Sequence, residues 1–260
     1  MHDGMIALGE VWLVGAGPGD PELLTRKAER LIRAASVVFY DALVGPGVLE
    51  LIPDHVRRVA VGKRSGRHSK DQRSINELLV EAALSGERVV RLKGGDPSMF
   101  GRSAEEVATL RAYGVRVSIC PGITAASAAA ASARVSLSLR GFARRVQFVT
   151  AHARAGETLD LDWAALADPE ATLGVYMGRA AAATVADQLI AHGLAGATPV
   201  LIAGNVSLPD ERCVHTRLDL LGLVAQSFPA DWPVLLLIGA AVARPPLIHS
   251  AIERVVALPM

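Results

Sequence analysis

Apolar runs that end in glycine-rich or acidic turns recur along this sequence, and amphipathic helical patterns separate them. Short apolar runs are typical of buried strands. Strands separated by helices pair in parallel, because the chain must cross back over the sheet between them. The turns after the runs read "GAGPGD", "YDALV", "VGKRSG", "KGGDP", "PGITA", "YMG" and "AGN". The alternation predicts an α/β protein with mixed, mostly parallel sheets flanked by helices.

A polar and basic interval, "SLRGFARR", separates two sets of strands. We expect two α/β domains, residues 10–138 and 145–244, joined by a linker at 139–144. A chain of 260 residues is long enough for each domain to have its own core. Because α/β sheets bind ligands beyond the carboxyl ends of their strands, we expect the site in the cleft between the domains.

The composition is that of a globular protein, with 51% apolar and 20% charged residues. Aromatic residues make up only 4% and the net charge is +1, which weighs against a nucleic-acid partner. The start of the chain lacks the pattern of a signal peptide, and we expect a cytoplasmic protein without a membrane partner. The seven histidines form no metal-binding motif, so we expect no metal.

The first strand end departs from the dinucleotide-binding fingerprint. Its third glycine, Gly19, comes early and follows Pro18, and Asp20 stands where a glycine is expected. In the turn "KGGDP", Pro97 after Asp96 removes a donor amide, so the turn does not suit a phosphate. Such turns favour a cationic or hydroxyl-bearing ligand over a triphosphate.

Asp41 ends an apolar strand and allows three interpretations: a turn or cap residue, a ribose-binding acid, or a general base. Met177, in "VYMG", is by default a core residue.

Basic residues gather around a second group of positions. The segment "VGKRSGRHS" is either a solvated basic loop or part of a carboxylate-binding site. Further basic groups at Arg102, Arg140, Arg144 and Arg145 favour a small polycarboxylate, although Glu105 could merely pair with Arg102.

Several motifs resemble the tetrapyrrole methylase superfamily, most closely its uroporphyrinogen-III C-methyltransferases. The resemblance extends from Glu10 to Ala243. The motifs that carry it are "VWLVGAGPGDPELLT", "VVFYDALV", "VGKRSGRHSKDQRSIN", "VVRLKGGDPSMFGRSAEE", "PGITAASAAA", "VYMG" and "WPVLLLIG". It implies S-adenosylmethionine as methyl donor and methylation of uroporphyrinogen III at C2 and C7. The products would be precorrin-2, by way of precorrin-1, and S-adenosylhomocysteine. It also implies a homodimer of two-domain chains.

The resemblance also implies site residues. It places cofactor contacts at Pro18, Gly94, Gly95, Asp96, Met99, Thr124, Ala125, Met177 and Val206. It gives two acid–base pairs: Asp41 as base with Lys63 as acid, or Arg102 with Glu105. Arg140 and Arg64 would hold substrate carboxylates. An arginine is a poor base because its pKa is very high, so we favour Asp41.

The sequence departs from the family pattern where "SLSLR" replaces "PLTHR", and also at "TAH", "GRSAEE" and "VSLPDER". The first change lies on the expected substrate side. Another acceptor, such as a later corrinoid intermediate, is therefore the main alternative. An NAD(P)-dependent oxidoreductase would explain "GAGPG" and Asp41 but not "KGGDP" or "PGITA". A non-catalytic S-adenosylmethionine-binding module is the third alternative.

Overall fold

A computed structural model describes residues 5–62, 72–151 and 159–244. The chain divides into two compact units. Unit 1 comprises Met1–Ala129, Gly204–Arg212 and Pro229–Pro233, and unit 2 comprises Ala130–Ala203, Cys213–Phe228 and Val234–Met260. Two late segments therefore join unit 1, whereas a linear division near Arg140 assigns them to the second domain.

Unit 1 alternates strands with helices along the chain. They are β1 (Glu10–Gly15), α1 (Arg26–Ala34), β2 (Val37–Tyr40), α2 (Pro46–Glu50), β3 (Arg57–Ala60), α3 (Gln72–Leu84), β4 (Val89–Lys93), α4 (Ser103–Ala112), β5 (Arg116–Cys120) and α5 (Ala125–Ser132). The strand order is β3-β2-β4-β1-β5, and each neighbouring pair is parallel. The predicted parallel sheet is confirmed.

Apolar side chains cover both faces of this sheet. Every residue of β4 is buried, as expected for the central strand of a parallel sheet. One core includes Leu31 and Ile32 of α1, and the other includes Leu79 of α3 and Leu110 of α4. Helices thus pack on both faces of the sheet, which leaves the ends of its strands as the expected place for a ligand.

The first helix begins later than the pattern predicts. The apolar spacing of Leu24, Ala28 and Leu31 predicts a helix from about Pro21. In the structure α1 begins at Arg26, after a single 3-10 turn at Pro21–Leu23. The Thr25 hydroxyl accepts a hydrogen bond from the Ala28 N–H at 3.1 Å, so Thr25 is the N-cap. Leu24, at the end of the turn, has extended backbone angles and interrupts the helix.

Unit 2 contains a mixed sheet. Its elements are β6 (Arg145–Thr150), α6 (Trp163–Leu166), β7 (Ala171–Tyr176), α7 (Ala182–Ala191), β8 (Pro199–Gly204), β9 (Arg212–Arg217), α8 (Leu221–Ala225) and β10 (Val234–Ile238). The order is β6-β7-β10-β8-β9, with β6 and β7 parallel and β7 and β10 antiparallel. Within the described ranges, no helix is long and apolar enough to cross a membrane.

Main-chain atoms of three loops meet at the carboxyl edge of the unit 1 sheet. A Cβ atom on Gly15 would lie 2.5 Å from the amide nitrogen of Gly122 and 2.7 Å from the carbonyl oxygen of Gly95. A Cβ atom on Gly122 would overlap that same carbonyl oxygen. Only glycine permits this approach, so the loops after β1, β4 and β5 share one packed edge.

We expect Gly122→Ala to destabilise the protein by about 3 kcal/mol or more, because the added methyl group must displace backbone rather than a side chain. Gly114→Ala is the matched control. Its φ is +71° but no atom lies within 4 Å of the new methyl group among the described residues, so only backbone strain of about 1 kcal/mol applies. Urea unfolding measures both, and equal losses would contradict the packing argument.

Candidate active site

The loops after β1 and β4 form a short main-chain pairing beyond the ends of their strands. The Gly95 N–H donates to the Gly17 carbonyl at 2.7 Å, and the Gly17 N–H donates to the Gly95 carbonyl at 3.2 Å. Pro18 follows directly. In the described structure, the place where a Gly95 side chain would begin has no atom within 4 Å. The turn therefore presents bare backbone to open space.

The Asp96 carboxylate connects the β4 loop to the β5 loop. Its Oδ1 accepts the Ser98 N–H at 2.7 Å, and its Oδ2 accepts the Gly122 N–H at 2.8 Å. Beyond Gly122, the Thr124 hydroxyl accepts the Ser127 N–H at 3.2 Å and caps α5 at its first residue, Ala125. Asp96 therefore positions the segment that contains Thr124.

A segment from late in the sequence joins this edge. The Asp20 N–H donates to the Ser207 hydroxyl at 2.9 Å, across 187 residues of sequence. A Cβ atom on Gly19 would lie 2.6 Å from a methyl carbon of Leu208, so the two segments are in contact. The expected contact Val206, buried in this segment, thus lies within unit 1 with the Pro18 turn.

Two residues of the β4–α4 loop have left-handed backbones, which are strained for residues other than glycine. They are Phe100, with φ 54°, and Arg102, with φ 55°. Met99 precedes them and donates its N–H to the Asp96 carbonyl at 3.1 Å. Such strain concentrates at functional sites, and its position supports a site at this loop.

Arg102 and Glu105 form a bidentate ion pair. The guanidinium Nε and Nη2 atoms donate to the two carboxylate oxygens at 2.8 and 2.7 Å. The hydrogen bond to Glu105 raises the pKa of Arg102. Both side chains are more than half exposed, so the ion pair lies at the surface. The pairing expected from the helical spacing of the two residues is therefore present.

Asp41 directly follows β2, and its two carboxylate oxygens have different contacts. Its Oδ1 accepts the Leu43 N–H at 3.0 Å, which makes it a turn residue. Its Oδ2 lies 3.5 Å from Nη2 of Arg91 on the neighbouring strand β4. A quarter of the Asp41 side chain is exposed, so the carboxylate contacts buried Arg91 on one side and is accessible to solvent on the other.

A buried charge cluster lies next to Asp41, and no sequence motif indicated it. We call Arg91, Lys93 and Glu106 the β4–α4 cluster; each is at most 4% exposed. Glu106 accepts from Arg91 Nε at 3.2 Å, from Lys93 Nζ at 2.8 Å and from Gln72 Nε2 at 3.3 Å. Burial lowers the pKa of Lys93, the charge of Arg91 lowers it further, and Glu106 opposes both effects. The usable signal was two basic residues, two apart, in an otherwise apolar strand.

Four further expected site residues fall outside the described part of unit 1. Lys63 and Arg64 lie outside the described residues. Arg140 lies in unit 2, exposed in the turn between Leu139 and Ala143. Met177 also lies in unit 2, and its default assignment to the core is wrong. It is 49% exposed and left-handed, with φ 55°. The described residues contain no group of three side chains arranged to hold a metal ion.

Comparison with known proteins gives consistent results. The family model for tetrapyrrole (corrin/porphyrin) methylases matches residues 10–221. The chain is 48% identical to uroporphyrinogen-III C-methyltransferase of Paracoccus denitrificans over 92% of this chain and 84% of that protein. It is also 48% identical to siroheme synthase 1 of Yersinia enterocolitica, but spans only 49% of that protein's length.

Solved structures with the same fold include two methyltransferases. Uroporphyrin-III C-methyltransferase from Thermus thermophilus, in complex with S-adenosylhomocysteine, gives a TM-score of 0.76 at 40% identity, covering 90% of this chain and 98% of that one. Cobalt precorrin-4 methyltransferase gives 0.80 at 27% identity, covering 90% and 96%. From the family match, the identity and the shared fold, we conclude that this chain belongs to the tetrapyrrole methylase family.

Proposed function

We propose that this chain transfers methyl groups from S-adenosylmethionine to C2 and C7 of uroporphyrinogen III, giving precorrin-2 and S-adenosylhomocysteine. The observation that carries the proposal is the convergence of motif positions on one edge of the unit 1 sheet. The Pro18 turn, the Gly94–Asp96 turn, the Thr124 cap and the Val206 segment all lie there. The name of the Paracoccus relative and the ligand of the Thermus structure support the same activity.

The residues at this edge suit the proposed methyl donor. The main chain at Gly95 borders open space, so a ligand can approach the backbone closely there. Within unit 1, the proposed contacts are Pro18, Gly94, Gly95, Asp96, Met99, Thr124, Ala125 and Val206. Met177 is proposed from the resemblance alone. When bound, S-adenosylmethionine supplies a methyl group already activated by the sulfonium.

Alignment and proton removal are the tasks left to the protein. Good alignment of reacting groups can contribute about 7–11 kcal/mol to the reduction of the barrier. The methylated macrocycle must then lose a proton to a positioned base. Asp41 is the proposed base because its carboxylate is fixed by Leu43 and Arg91 yet a quarter exposed. Lys63 is the proposed acid.

Arginine side chains are proposed to hold the substrate carboxylates. Arg102 presents an exposed guanidinium whose direction is fixed by Glu105, which suits a carboxylate better than proton transfer. Arg140 and Arg64 are proposed for the same role. The chain is further proposed to act as a homodimer in the cytoplasm.

A second acceptor remains as an alternative within the same reaction class. The structural likeness to cobalt precorrin-4 methyltransferase is as high as that to the Thermus enzyme, and "SLSLR" alters the expected substrate side. A later corrinoid intermediate would then replace uroporphyrinogen III. The methyl donor and the edge of unit 1 would be unchanged.

The acceptor is tested by anaerobic turnover of enzymatically generated uroporphyrinogen III with methyl-labelled S-adenosylmethionine. We expect two labelled methyl groups on each macrocycle, because C2 and C7 both react. Mass analysis of the product measures this number. Binding of S-adenosylhomocysteine without methyl transfer would retain the cofactor site and reject the acceptor.

Replacing Asp41 with asparagine should lower kcat about 100-fold or more, because a carboxamide cannot take up the proton. The Leu43 N–H keeps an acceptor, so binding of S-adenosylhomocysteine should not change. Asp54→Asn is the control, since Asp54 is fully exposed and lies 3.8 Å from Arg58. Undiminished turnover by the Asp41 variant would show that another group is the base.

Asp96→Asn should weaken binding of S-adenosylhomocysteine about tenfold, because a carboxamide can accept only one of the two N–H groups that the carboxylate accepts. Isothermal titration calorimetry measures the affinity. Asp20→Asn is the matched control: within the part of the chain that the structure describes, the Asp20 carboxylate accepts the Glu22 N–H alone, and one oxygen is sufficient there. Equal affinity in wild type and the Asp96 variant would contradict the proposed positioning.

A further inference from the structure

Asp41 contacts the β4–α4 cluster from its more exposed side. Arg91 joins the two, because its Nη2 atom lies 3.5 Å from Asp41 while its Nε atom donates to Glu106. The side chains of Arg91, Lys93 and Glu106 are at most 5% exposed, and that of Asp41 is 25% exposed. The proposed base is thus continuous with a buried group of charges.

The charges of the cluster balance only when Asp41 is counted. Arg91 and Lys93 contribute two positive charges, and Glu106 contributes one negative charge. The carboxylate of Asp41 is the second anion and makes the sum zero. Because uncompensated charge is costly in a buried site, the ionised Asp41 matters to the whole cluster.

Glu106 determines which part of Arg91 faces Asp41. Glu106 Oε1 accepts a hydrogen bond from Nε of the guanidinium, and the Leu92 carbonyl accepts one from Nη1 at 2.9 Å. Its Oε2 takes Lys93 at 2.8 Å. The guanidinium is planar and its hydrogen-bond directions are fixed, so these contacts leave Nη2 directed at Asp41.

We infer that Glu106 is a positioning residue for the proposed base. It neutralises Lys93 and holds Arg91, and it thereby keeps the Asp41 carboxylate in its partly exposed position. The inference rests on the proposed role of Asp41. Without the charge of Glu106, Asp41 would be the one carboxylate, among the described residues, next to the two buried cations. Its side chain would then be drawn inward, toward Arg91 and Lys93. Lys93 already has a lowered pKa, so it is the cation most sensitive to that loss.

The first experiment compares Glu106→Gln with wild type in the turnover assay. We expect kcat to fall about tenfold, a coupling typical of residues in one charged network. The KM for uroporphyrinogen III and the affinity for S-adenosylhomocysteine should stay within twofold. Glu29→Gln is the control, because it removes an exposed ion pair to Arg33 without touching the site.

A double-mutant cycle separates positioning from general damage. Glu106→Gln should lower the residual kcat of Asp41→Asn by less than twofold, because the group that it positions is already gone. Adding Lys93→Met to Glu106→Gln removes one cation together with one anion. It should recover at least half of the lost kcat, and it provides a folded protein if Glu106→Gln alone unfolds.

The outcomes distinguish this inference from the proposed function. An equal fold-loss from Glu106→Gln with and without Asp41, or a raised KM at unchanged kcat, would overturn the inference. Full turnover by Asp41→Asn would reject the proposed base and the inference with it. Urea unfolding of wild type, Asp41→Asn, Glu106→Gln and the double variant measures the coupling between the two carboxylates in the absence of substrate. A zero coupling between Asp41 and Glu106 there would overturn the inference even if the acceptor is wrong.

Discussion

Backbone contact at the carboxyl edge of unit 1 is the constraint on which the candidate site depends. Gly15, Gly95 and Gly122 approach so closely that no side chain fits between them. Three loops that follow different strands are therefore fixed against one another by main-chain atoms. Because backbone atoms have fewer alternative arrangements than side chains, a ligand at this edge meets a surface that is already in place.

Charged groups are arranged in two different ways around this edge. The Arg102–Glu105 pair lies in solvent, where an ion pair contributes little to stability, and its value lies in the direction that it gives the guanidinium. The β4–α4 cluster is buried, where each charge requires a partner. The exposed pair suits contact with a charged ligand, and the buried cluster suits the orientation of a neighbouring group.

The sequence was sufficient to predict the parallel sheet, because apolar runs separated by helical patterns lead to parallel pairing. The position of its ligand edge, inferred from the glycine-rich turns, stays a prediction. The sequence was insufficient where one contact decides the structure. The cap at Thr25 delays α1, and no periodic pattern identifies which threonine will act as a cap. Arg91 and Lys93 are buried because Glu106 of α4 pairs with both of them, and this contact between two elements leaves no pattern in the sequence. Met177 has an apolar side chain typical of a core, yet it is exposed and has a left-handed backbone.

The contact between Asp20 and Ser207 has a consequence for synthesis of the chain. Unit 1 needs residues 204–212, which leave the ribosome long after its first 129 residues. Synthesis proceeds at about 5–20 residues per second, so several seconds pass between the emergence of the sheet and that of the late segment. The Pro18 turn is unshielded by Leu208 during this interval. A lower translation rate lengthens this interval in proportion.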